Sequence, residues 1–423
     1  MRYRISGAAL LIFACIAVPL AAPAQQSQDD RIKALEERII ALEGQVRTLK
    51  AQQAQAATAA TPATAVPAPA APVGAAAETP AQVAGTQPAA TLPVYGGASA
   101  AAKALNPDIS VIGDFIGSMG HNPLLQTPAF QMHESEVGFQ AIVDPYARGD
   151  FFISFGEQGV NLEEGYITFT ALPAGFVLRG GKMRAAFGKV NTLHNHVLPW
   201  IDRPLVTNSL AGGEDGINDA GLSLTRILPA PKGLFLEATG QVLRGDSADV
   251  FTSSKRSDVS AVAHLRGYRD ISESTNIDIG ASYARGHNDL GSSFLTQLYG
   301  VDATLRWKPL RRSIYHSFVG RSEFIWSRRE QMPRLQRSFG WYAAGDYQFG
   351  RRWFGGARYD RSDRSHNDGL TDSGTSLVLT YWPSEFSQIR GQYRLTRYAE
   401  HLDAHEFLMQ LQFSLGAHGA HPF

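Results

Sequence analysis

Alternation of apolar and polar residues in short segments is the feature that most constrains this sequence, and it extends over residues 106–423. In one such segment, Tyr299 and Val301 share one parity, whereas Asp302 and Thr304 share the other. A repeat of two residues is that of a β-strand with one apolar face, because successive side chains point to opposite sides. The sequence therefore predicts β-structure throughout this part of the chain.

About sixteen such segments follow one another without interruption. Their expected starts lie near Pro107, Gln131, Ala147, Leu162, Gly175, Asp219, Gly233, Ser257, Thr275, Gln297, Ile314, Arg337, Arg351, Ser373, Ser387 and His405. A soluble β-sandwich shows the same alternation, but an even count near sixteen is typical of bacterial outer-membrane barrels wide enough to hold water. We therefore predict an all-β fold over residues 105–423, an antiparallel transmembrane β-barrel of about 16 strands in contact with outer-membrane lipid.

Aromatic residues and the last segment fit this prediction. The tryptophans near strand ends, where aromatic side chains form girdles at the membrane interfaces, are Trp307, Trp326, Trp353 and Trp382. The apolar parity of the last strand continues to the terminal Phe423, although a stretch rich in Gly and Ala interrupts it at residues 416–420. A terminal aromatic residue on the lipid-facing parity resembles the insertion signal of outer-membrane barrels.

Residues 1–24 have the organisation of a secretory signal peptide. A basic start is followed by an apolar run over residues 8–20 and by small residues that end at Ala24. The run is shorter than the roughly 20 residues that a membrane-spanning helix needs. A lipoprotein signal around Cys15 is an alternative. Because Cys15 is the only cysteine of the chain, cleavage after Ala24 leaves no disulfide and no thiolate chemistry.

Residues 25–51 are predicted to contain a periplasmic coiled coil. Apolar residues recur from Ile32 to Leu49 with the spacing of a heptad repeat. β-Branched residues at the first core position favour a dimer, whereas Arg31 and Arg38 stand in a pattern associated with trimers, in which the arginine stem covers the core edge. We favour a homotrimer, and the coil is the candidate contact for a cell-wall or periplasmic partner.

Residues 52–104 consist almost entirely of Ala, Pro, Thr, Val, Gln and Gly, with few charged residues. A segment of this composition has too little apolar surface to bury, so we predict a disordered linker between the coil and the barrel.

One connection between strands is much longer than the others. Residues 184–218 contain scattered Pro and Gly and show no sustained alternation. A loop beyond about 15 residues in a compact barrel usually has a function, and one that folds into the lumen sets the width of a pore. We predict that this loop constricts the barrel. The charged residues expected at the narrowest point are Lys189, Asp202, Arg203, Glu214 and Asp215, although Asp202 and Arg203 are also candidates for pinning the loop to the wall.

Three stretches resemble a known family. They are LEEGYITF at residues 162–169, RGGKMRAAFG at 179–188 and DRPLV at 202–206. These stretches are similar to the pattern of the phosphate-selective porin O/P-like superfamily. The resemblance implies a trimeric outer-membrane porin, in some members preceded by a periplasmic coiled coil, through which small hydrophilic solutes or ions diffuse passively. Phosphate selectivity does not carry over, because phosphate-binding members use an arginine ladder and dedicated lysines.

The expected lumen faces of this chain instead mix charges of both signs. The candidate wall residues are Arg306, Lys308, Arg358, Arg390, Arg394, Glu134, Glu136 and Asp302. Such a mixture produces a transverse field in a pore without strongly excluding ions of either sign. We therefore expect weak selectivity.

Two histidine pairs are weighed as metal ligands. His194 and His196 flank Asn195 in the long loop, and His418 and His421 lie in the carboxy-terminal tail. Imidazoles at this spacing bind zinc or copper when the peptide folds around the ion. Neither pair supplies enough ligands by itself, so the sequence predicts no metal site and no cofactor.

Other function classes fit less well. Lys and Arg number 39 and Asp and Glu also number 39, which removes the electrostatic case for a nucleic-acid partner. The sequence has no nucleophile elbow or comparable motif, so we do not expect an enzyme. Alternatives that remain are an envelope-tethering or adhesion protein anchored by its barrel, and a metal-related outer-membrane protein.

Overall fold

The computed structural model describes residues 107–125, 127–157, 159–247 and 249–416. The predicted signal peptide, coiled coil and linker, the tail histidines and the terminal Phe423 lie outside these residues, so those predictions stay predictions. Among the described residues no helix is long and apolar enough to cross a membrane, a finding that concerns helices alone.

The described chain consists almost entirely of β-strands joined in one sheet. The strands are β1 Asp108–His121, β2 Phe130–Met132, β3 Ser135–Asp144, β4 Ala147–Gly156, β5 Gly159–Phe169, β6 Phe176–Arg184, β7 Asn218–Leu228, β8 Leu234–Leu243, β9 Ser260–Ser272, β10 Thr275–Asn288, β11 Gly291–Trp307, β12 Ser317–Arg329, β13 Gln336–Gly350, β14 Trp353–Arg364, β15 Asn367–Ser384, β16 Ser387–Arg397 and β17 Asp403–Gly416. The helices are three short 3-10 turns, Pro173–Gly175, Val190–Thr192 and Asn195–Val197, and α1 Leu205–Leu210.

The sheet closes on itself into a barrel. From β3 to β17 each strand pairs antiparallel with the next one in the sequence, and β1 pairs antiparallel with β17 along most of its length. The short β2 and the longer β3 both pair with β1 and share one position in the wall, interrupted at His133 and Glu134. The seventeen strands therefore fill sixteen positions, which confirms the predicted β-barrel of about 16 strands.

Alternation along each strand separates an apolar outer face from a largely polar interior. In β17, for example, Phe413 is 43% exposed and the neighbouring Gln412 is 4% exposed. Exposed apolar side chains recur on the outer face around the whole wall. So large an apolar surface is unfavourable in water and is expected where a barrel contacts lipid. One predicted girdle residue is an exception: Trp382 is buried because it has the inward parity of Val378 and Thr380.

The two ends of the barrel differ. β1 starts and β17 finishes at one end of the barrel. At this end tight turns join β3 to β4, β9 to β10, and β13 to β14. The opposite end carries the two longest connections, over residues 185–217 and 244–259. Both send apolar side chains inward, so the hydrophobic core of this fold lies inside the barrel.

Candidate functional site: a loop inside the barrel

The connection between β6 and β7, residues 185–217, is called the inner loop below, and its bounds agree with the long connection expected from the sequence. Its neck is closed by Asn191, whose side chain donates to the carbonyls of Ala185 at 2.9 Å and Ile217 at 3.0 Å and accepts from the Ile217 amide at 2.8 Å. Gly216 has a φ of 65°, and a Cβ there would lie 2.2 Å from the Asn191 Oδ1. The neck therefore requires glycine at this position.

The inner loop lies inside the barrel because its apolar side chains pack there against apolar side chains of the wall. Its buried side chains include Phe187, Val190, Leu198, Trp200, Val206 and Leu210, and the wall side chains that share their cluster include Leu298, Ile325, Tyr342 and Val378. Each large apolar side chain taken out of water contributes about 1.5–3 kcal/mol to stability. Gly340 provides space on the wall, since a Cβ there would lie 2.7 Å from the Val206 Cγ2.

Polar groups of the wall meet the backbone amides of the inner loop. The amide donors and their acceptors are Ala186 to Gln241 (2.7 Å), Gly188 to Ser282 (2.9 Å), Lys189 and Val190 to Glu323 (2.7 and 2.6 Å), Ile201 to Gln392 (2.8 Å) and Leu205 to Asp360 (3.3 Å). These acceptors lie on β8, β10, β12, β14 and β16, so the inner loop crosses the interior and contacts strands on several sides of the barrel.

Asp202 holds the inner loop against the wall. Its Oδ2 accepts hydrogen bonds from Arg358 at 2.9 Å and Arg394 at 3.0 Å, and its Oδ1 accepts from Gln392. Burial would raise the pKa of Asp202, but the charges of the two arginines outweigh it and hold the pKa well below its usual range. The carboxylate is therefore ionised and links β14 to β16 through the loop.

Arg358 and Arg390 also contact the inner loop and do not face open space inside the barrel. Arg358 bonds to Asp360 at 2.8 Å, and its guanidinium lies 4.8 Å from the centre of the Trp200 ring. Arg390 donates to the carbonyls of Leu198 at 2.8 Å and Trp200 at 3.3 Å. Both arginines are almost completely buried. Three of the wall residues expected from the sequence, Arg358, Arg390 and Arg394, thus bind the loop.

The other candidates for the narrowest point take different positions. Arg203 is buried and folds the loop onto itself by donating to the Asn195 side chain at 2.7 Å and to two loop carbonyls. Glu214 is exposed, with its carboxylate 3.6 Å from His133. Asp215 is also exposed, and its backbone carbonyl accepts from Arg184 at 2.9 Å.

Lys189 joins a group that we call the basic cluster, formed by Lys189, Arg266 and Arg306 around Asp278. The distances to the Asp278 Oδ2 are 3.7 Å from Lys189, 2.7 Å from Arg266 and 3.8 Å from Arg306. The three basic side chains are 32%, 33% and 37% exposed, whereas the Asp278 side chain is 3% exposed. Water inside the barrel therefore reaches the three cations more readily than the Asp278 carboxylate, and the half-buried Glu237 lies opposite Arg266 on the neighbouring strand β8.

Two further wall candidates lie near or beyond this cluster. Asp302 is 4% exposed and acts electrostatically on Lys189, so it adds a buried negative charge behind the basic cluster. Lys308 follows the last residue of β11 and lies in the connection to β12 at the end of the barrel. The strand ends before Lys308, so this lysine is outside the wall face on which the sequence placed it.

On the opposite side, the inner loop meets a group that we call the glutamate cluster, formed by Glu134, Glu136, Glu163 and Glu164. The pairing of β4 with β5 shifts register between Phe152 and Ile153, which leaves Glu163 as an extra residue on β5. Such a β-bulge lets consecutive side chains leave the normal alternation. Both Glu163 and Glu164 consequently contact groups inside the barrel instead of one of them facing lipid.

His194 connects the inner loop to the glutamate cluster. Its Nδ1 lies 2.5 Å from Glu136 and 3.2 Å from Glu163, and its Nε2 lies 2.9 Å from Glu164. Burial alone would lower the pKa of His194, but its hydrogen bonds to the three carboxylates raise the pKa to about 11. Asn195 donates to Glu134 at 2.7 Å. The predicted wall residues Glu134 and Glu136 thus also bind the loop.

Sequence reasoning did not find Asn191, Glu163 or Glu323 among the residues that position the loop. Glu163 had a detectable signal, because two consecutive glutamates in a membrane strand require a bulge to keep both out of lipid. Glu323 has the inward parity of β12, but its two bonds to loop amides depend on a distant part of the chain.

Comparison with known proteins gives one relative by sequence. An uncharacterized protein of Aquifex aeolicus (strain VF5) is 28% identical over 386 residues, which cover 76% of this chain and 81% of that protein. No family model matches the chain. The resemblance to the phosphate-selective porin O/P-like superfamily therefore stays a prediction.

Several solved structures of outer-membrane proteins resemble the barrel in fold. OmpF of Salmonella typhi in complex with daunomycin has a TM-score of 0.53 at 9% identity, covering 74% of this chain and 99% of that one. An anion-selective porin from Comamonas acidovorans has a TM-score of 0.51 at 9% identity, covering 73% and 99%. The outer membrane channel DcaP of Acinetobacter baumannii has a TM-score of 0.50 at 11% identity, covering 73% and 96%. The barrel of this chain thus has the fold of these porins and channels.

Proposed function

We propose that the chain is an outer-membrane porin through which small hydrophilic solutes and ions diffuse passively. The observation that carries the proposal is a closed barrel, apolar outside, whose interior holds an inward loop and a solvent-exposed basic cluster. The porin fold of the solved neighbours supports it. We expect no enzyme activity, and we expect the coil and linker to lie in the periplasm.

Residues 184–218 act as the constriction in this proposal. The inner loop crosses the interior and is held by amide contacts, by Asp202 and by the glutamate cluster. These contacts favour a fixed loop over one that moves freely, so the remaining passage has a defined wall. Lys189 is the predicted constriction residue that stays partly exposed beside charged wall groups.

Selectivity is weak, with a modest preference for anions. Arg358 on β14 and Arg394 on β16 form ion pairs with Asp202 of the loop and with the wall carboxylates Asp360 and Glu406. The basic cluster keeps three partly exposed cations, whereas the two carboxylates beside them, Asp278 and Asp302, are buried. In a water-filled pore, such a local excess of positive charge raises the concentration of anions without excluding cations.

Homotrimer formation belongs to the same proposal and rests on the arginine pattern of the predicted coil. Cross-linking of the full chain in native outer membranes, compared with a chain that lacks residues 25–51, tests whether the coil determines the number of subunits.

Planar bilayers test the pore directly. The purified chain should give stable open steps, and a salt gradient should give a small reversal potential of the sign for anion preference. Lys189→Glu should reverse that sign because it replaces an exposed cation of the basic cluster with an anion. Lys232→Glu is the control, since Lys232 is exposed in the connection between β7 and β8.

The absence of open steps in folded protein would overturn the pore and favour the anchoring alternative. A reversal potential that moves equally in both variants would show that Lys189 does not line the conducting path. A strong anion preference in the unchanged protein would contradict the weak selectivity.

A further inference from the structure

We propose that His194, His196 and Glu136 bind a divalent transition metal ion of the zinc class and thereby fasten the inner loop to the wall. The two histidines come from the loop and Glu136 comes from β3. One ligand atom from each of the three residues lies within 4.8 Å of the others. The sequence supplied only the histidine pair, and the fold supplies the third ligand. The site does not depend on whether the barrel conducts.

His196 provides a second, independent observation. Its side chain is 7% exposed, and its Nδ1 has no hydrogen-bond partner among the described residues. This nitrogen lies 3.8 Å from the Glu136 Oε2. A buried nitrogen without a partner destabilises the fold, and a metal ion bound to its lone pair removes that cost.

The surroundings of His194 match those of metal-bound histidines. In metal sites the second ring nitrogen commonly donates to a carboxylate, which fixes the tautomer and the ring orientation. The Nε2 of His194 lies 2.9 Å from Glu164, and its Nδ1 faces Glu136 and Glu163. When Nε2–H donates to Glu164, Nδ1 is left as the ligand atom. Arg184 forms an ion pair with Glu163 at 2.9 Å and so fixes the position of this carboxylate beside His194.

The charge balance favours a cation at this place. Carboxylate oxygens of Glu134, Glu136 and Glu163 also lie within 4.8 Å of one another and are buried. Arg184 offsets one of these charges.

The ligand types indicate the class of metal. Two imidazoles and one carboxylate are ligands that zinc accepts in a four-coordinate site with one position left open or taken by Glu163. With bond lengths of about 2.0–2.2 Å, tetrahedral ligand atoms lie roughly 3.3 Å apart. The observed separations of 2.5 Å between His194 and Glu136 and 3.8 Å between His196 and Glu136 bracket this value.

Equilibrium dialysis against Zn²⁺ tests the site in the full chain, purified in detergent without a histidine tag. All samples carry His418→Ala and His421→Ala so that the tail cannot contribute. The otherwise unchanged barrel should retain about one zinc ion per chain. His194→Ala/His196→Ala should retain none, and Glu136→Gln should weaken binding by at least tenfold. His264→Ala is the matched control, because His264 faces Ser282 inside the barrel and away from the glutamate cluster.

Equal zinc uptake by the unchanged barrel and the double variant would overturn the proposal, as would no uptake by the unchanged barrel. The heat-dependent gel mobility of each variant reports whether its barrel has folded. If the double variant does not fold, Glu136→Gln and Co²⁺ decide the question. Intense visible absorption of Co²⁺ in the unchanged barrel and its loss in Glu136→Gln support a tetrahedral site, whereas identical spectra contradict it.

Discussion

Arg358 on β14 and Arg390 on β16 have the same inward parity as the arginines of the basic cluster, but they have a different role. Arg358 and Arg390 are buried, and they bind carboxylates, loop carbonyls or the face of Trp200. Arg266 and Arg306 stay about one-third exposed beside Asp278. The difference arises because the inner loop packs directly on the first pair. An inward charge on a barrel strand is therefore a buried structural group or a partly exposed group according to what the loop covers.

Removing the loop's carboxylate should have the largest effect on the covered side. Asp202→Ala takes a partner from both Arg358 and Arg394 while leaving them Asp360 and Glu406. We expect a loss of about 3 kcal/mol in the free energy of unfolding, because the buried hydrogen bonds from Arg358, Arg394 and Gln392 to this carboxylate are lost, and a bond to a charged group contributes about 1.5–3 kcal/mol. Urea unfolding in lipid vesicles, followed by tryptophan fluorescence, measures it.

The matched control is Asp215→Ala in the same loop. The Asp215 side chain is exposed, and the contact that holds this residue uses its backbone carbonyl. Its stability should change by less than about 0.5 kcal/mol. Equal losses in the two variants would show that Asp202 does not fasten the loop.

A smaller effect is expected where the wall makes room for the loop. In Gly340→Ala the new Cβ would lie 2.6 Å from the Ser362 Oγ and 2.7 Å from the Val206 Cγ2. Overpacking of this kind costs about 1–3 kcal/mol, which the same urea unfolding detects. Gly240→Ala is the control, because nothing lies within 4 Å of a Cβ at that position. A barrel that tolerates both substitutions equally would contradict the tight seat of Val206.

The smallest change in stability is expected on the uncovered side. Arg306→Gln removes a charge that is 37% exposed and 3.8 Å from Asp278, so the free energy of unfolding should change by less than about 0.5 kcal/mol. The ratio of chloride to potassium permeability should fall by less than about twofold, because Lys189 and Arg266 keep the site positive. Reversal potentials measure this ratio. A loss of stability as large as that of Asp202→Ala would remove the distinction between the two groups of arginines.

Much of the barrel could be predicted because the alternation that defines each strand can be seen within a short stretch of sequence. The period of two fixes the face of each residue in strands such as β11 and β17, and the end of alternation at Arg184 marks the start of the inner loop. Irregularities were harder to predict. The interruption between β2 and β3 and the bulge at Glu163 each depend on the register of neighbouring strands.

The partners of the loop could not be predicted from local pattern. Asp202 meets Arg358 and Arg394, which lie more than 150 positions later in the chain. Their meeting depends on the stagger of the strands around the barrel, which sets the height of each inward residue. The sequence could therefore name the charged residues of the interior, but it could not assign Arg358 to the loop and Arg306 to the open space.

The closed neck of the inner loop has a consequence for how such barrels diversify. Asn191 joins Ala185 to Ile217 next to the last pair of the β6–β7 ladder, Arg184 with Asn218, so the entry and exit of the loop are fixed independently of its tip. The tip of such a loop is thus a segment that can vary while the strands on either side keep their pairing. We expect a replacement of residues 192–215 by a loop of another length to keep the hairpin register, but wall groups that bind the present loop, such as Arg358 and Arg390, would have to change with it.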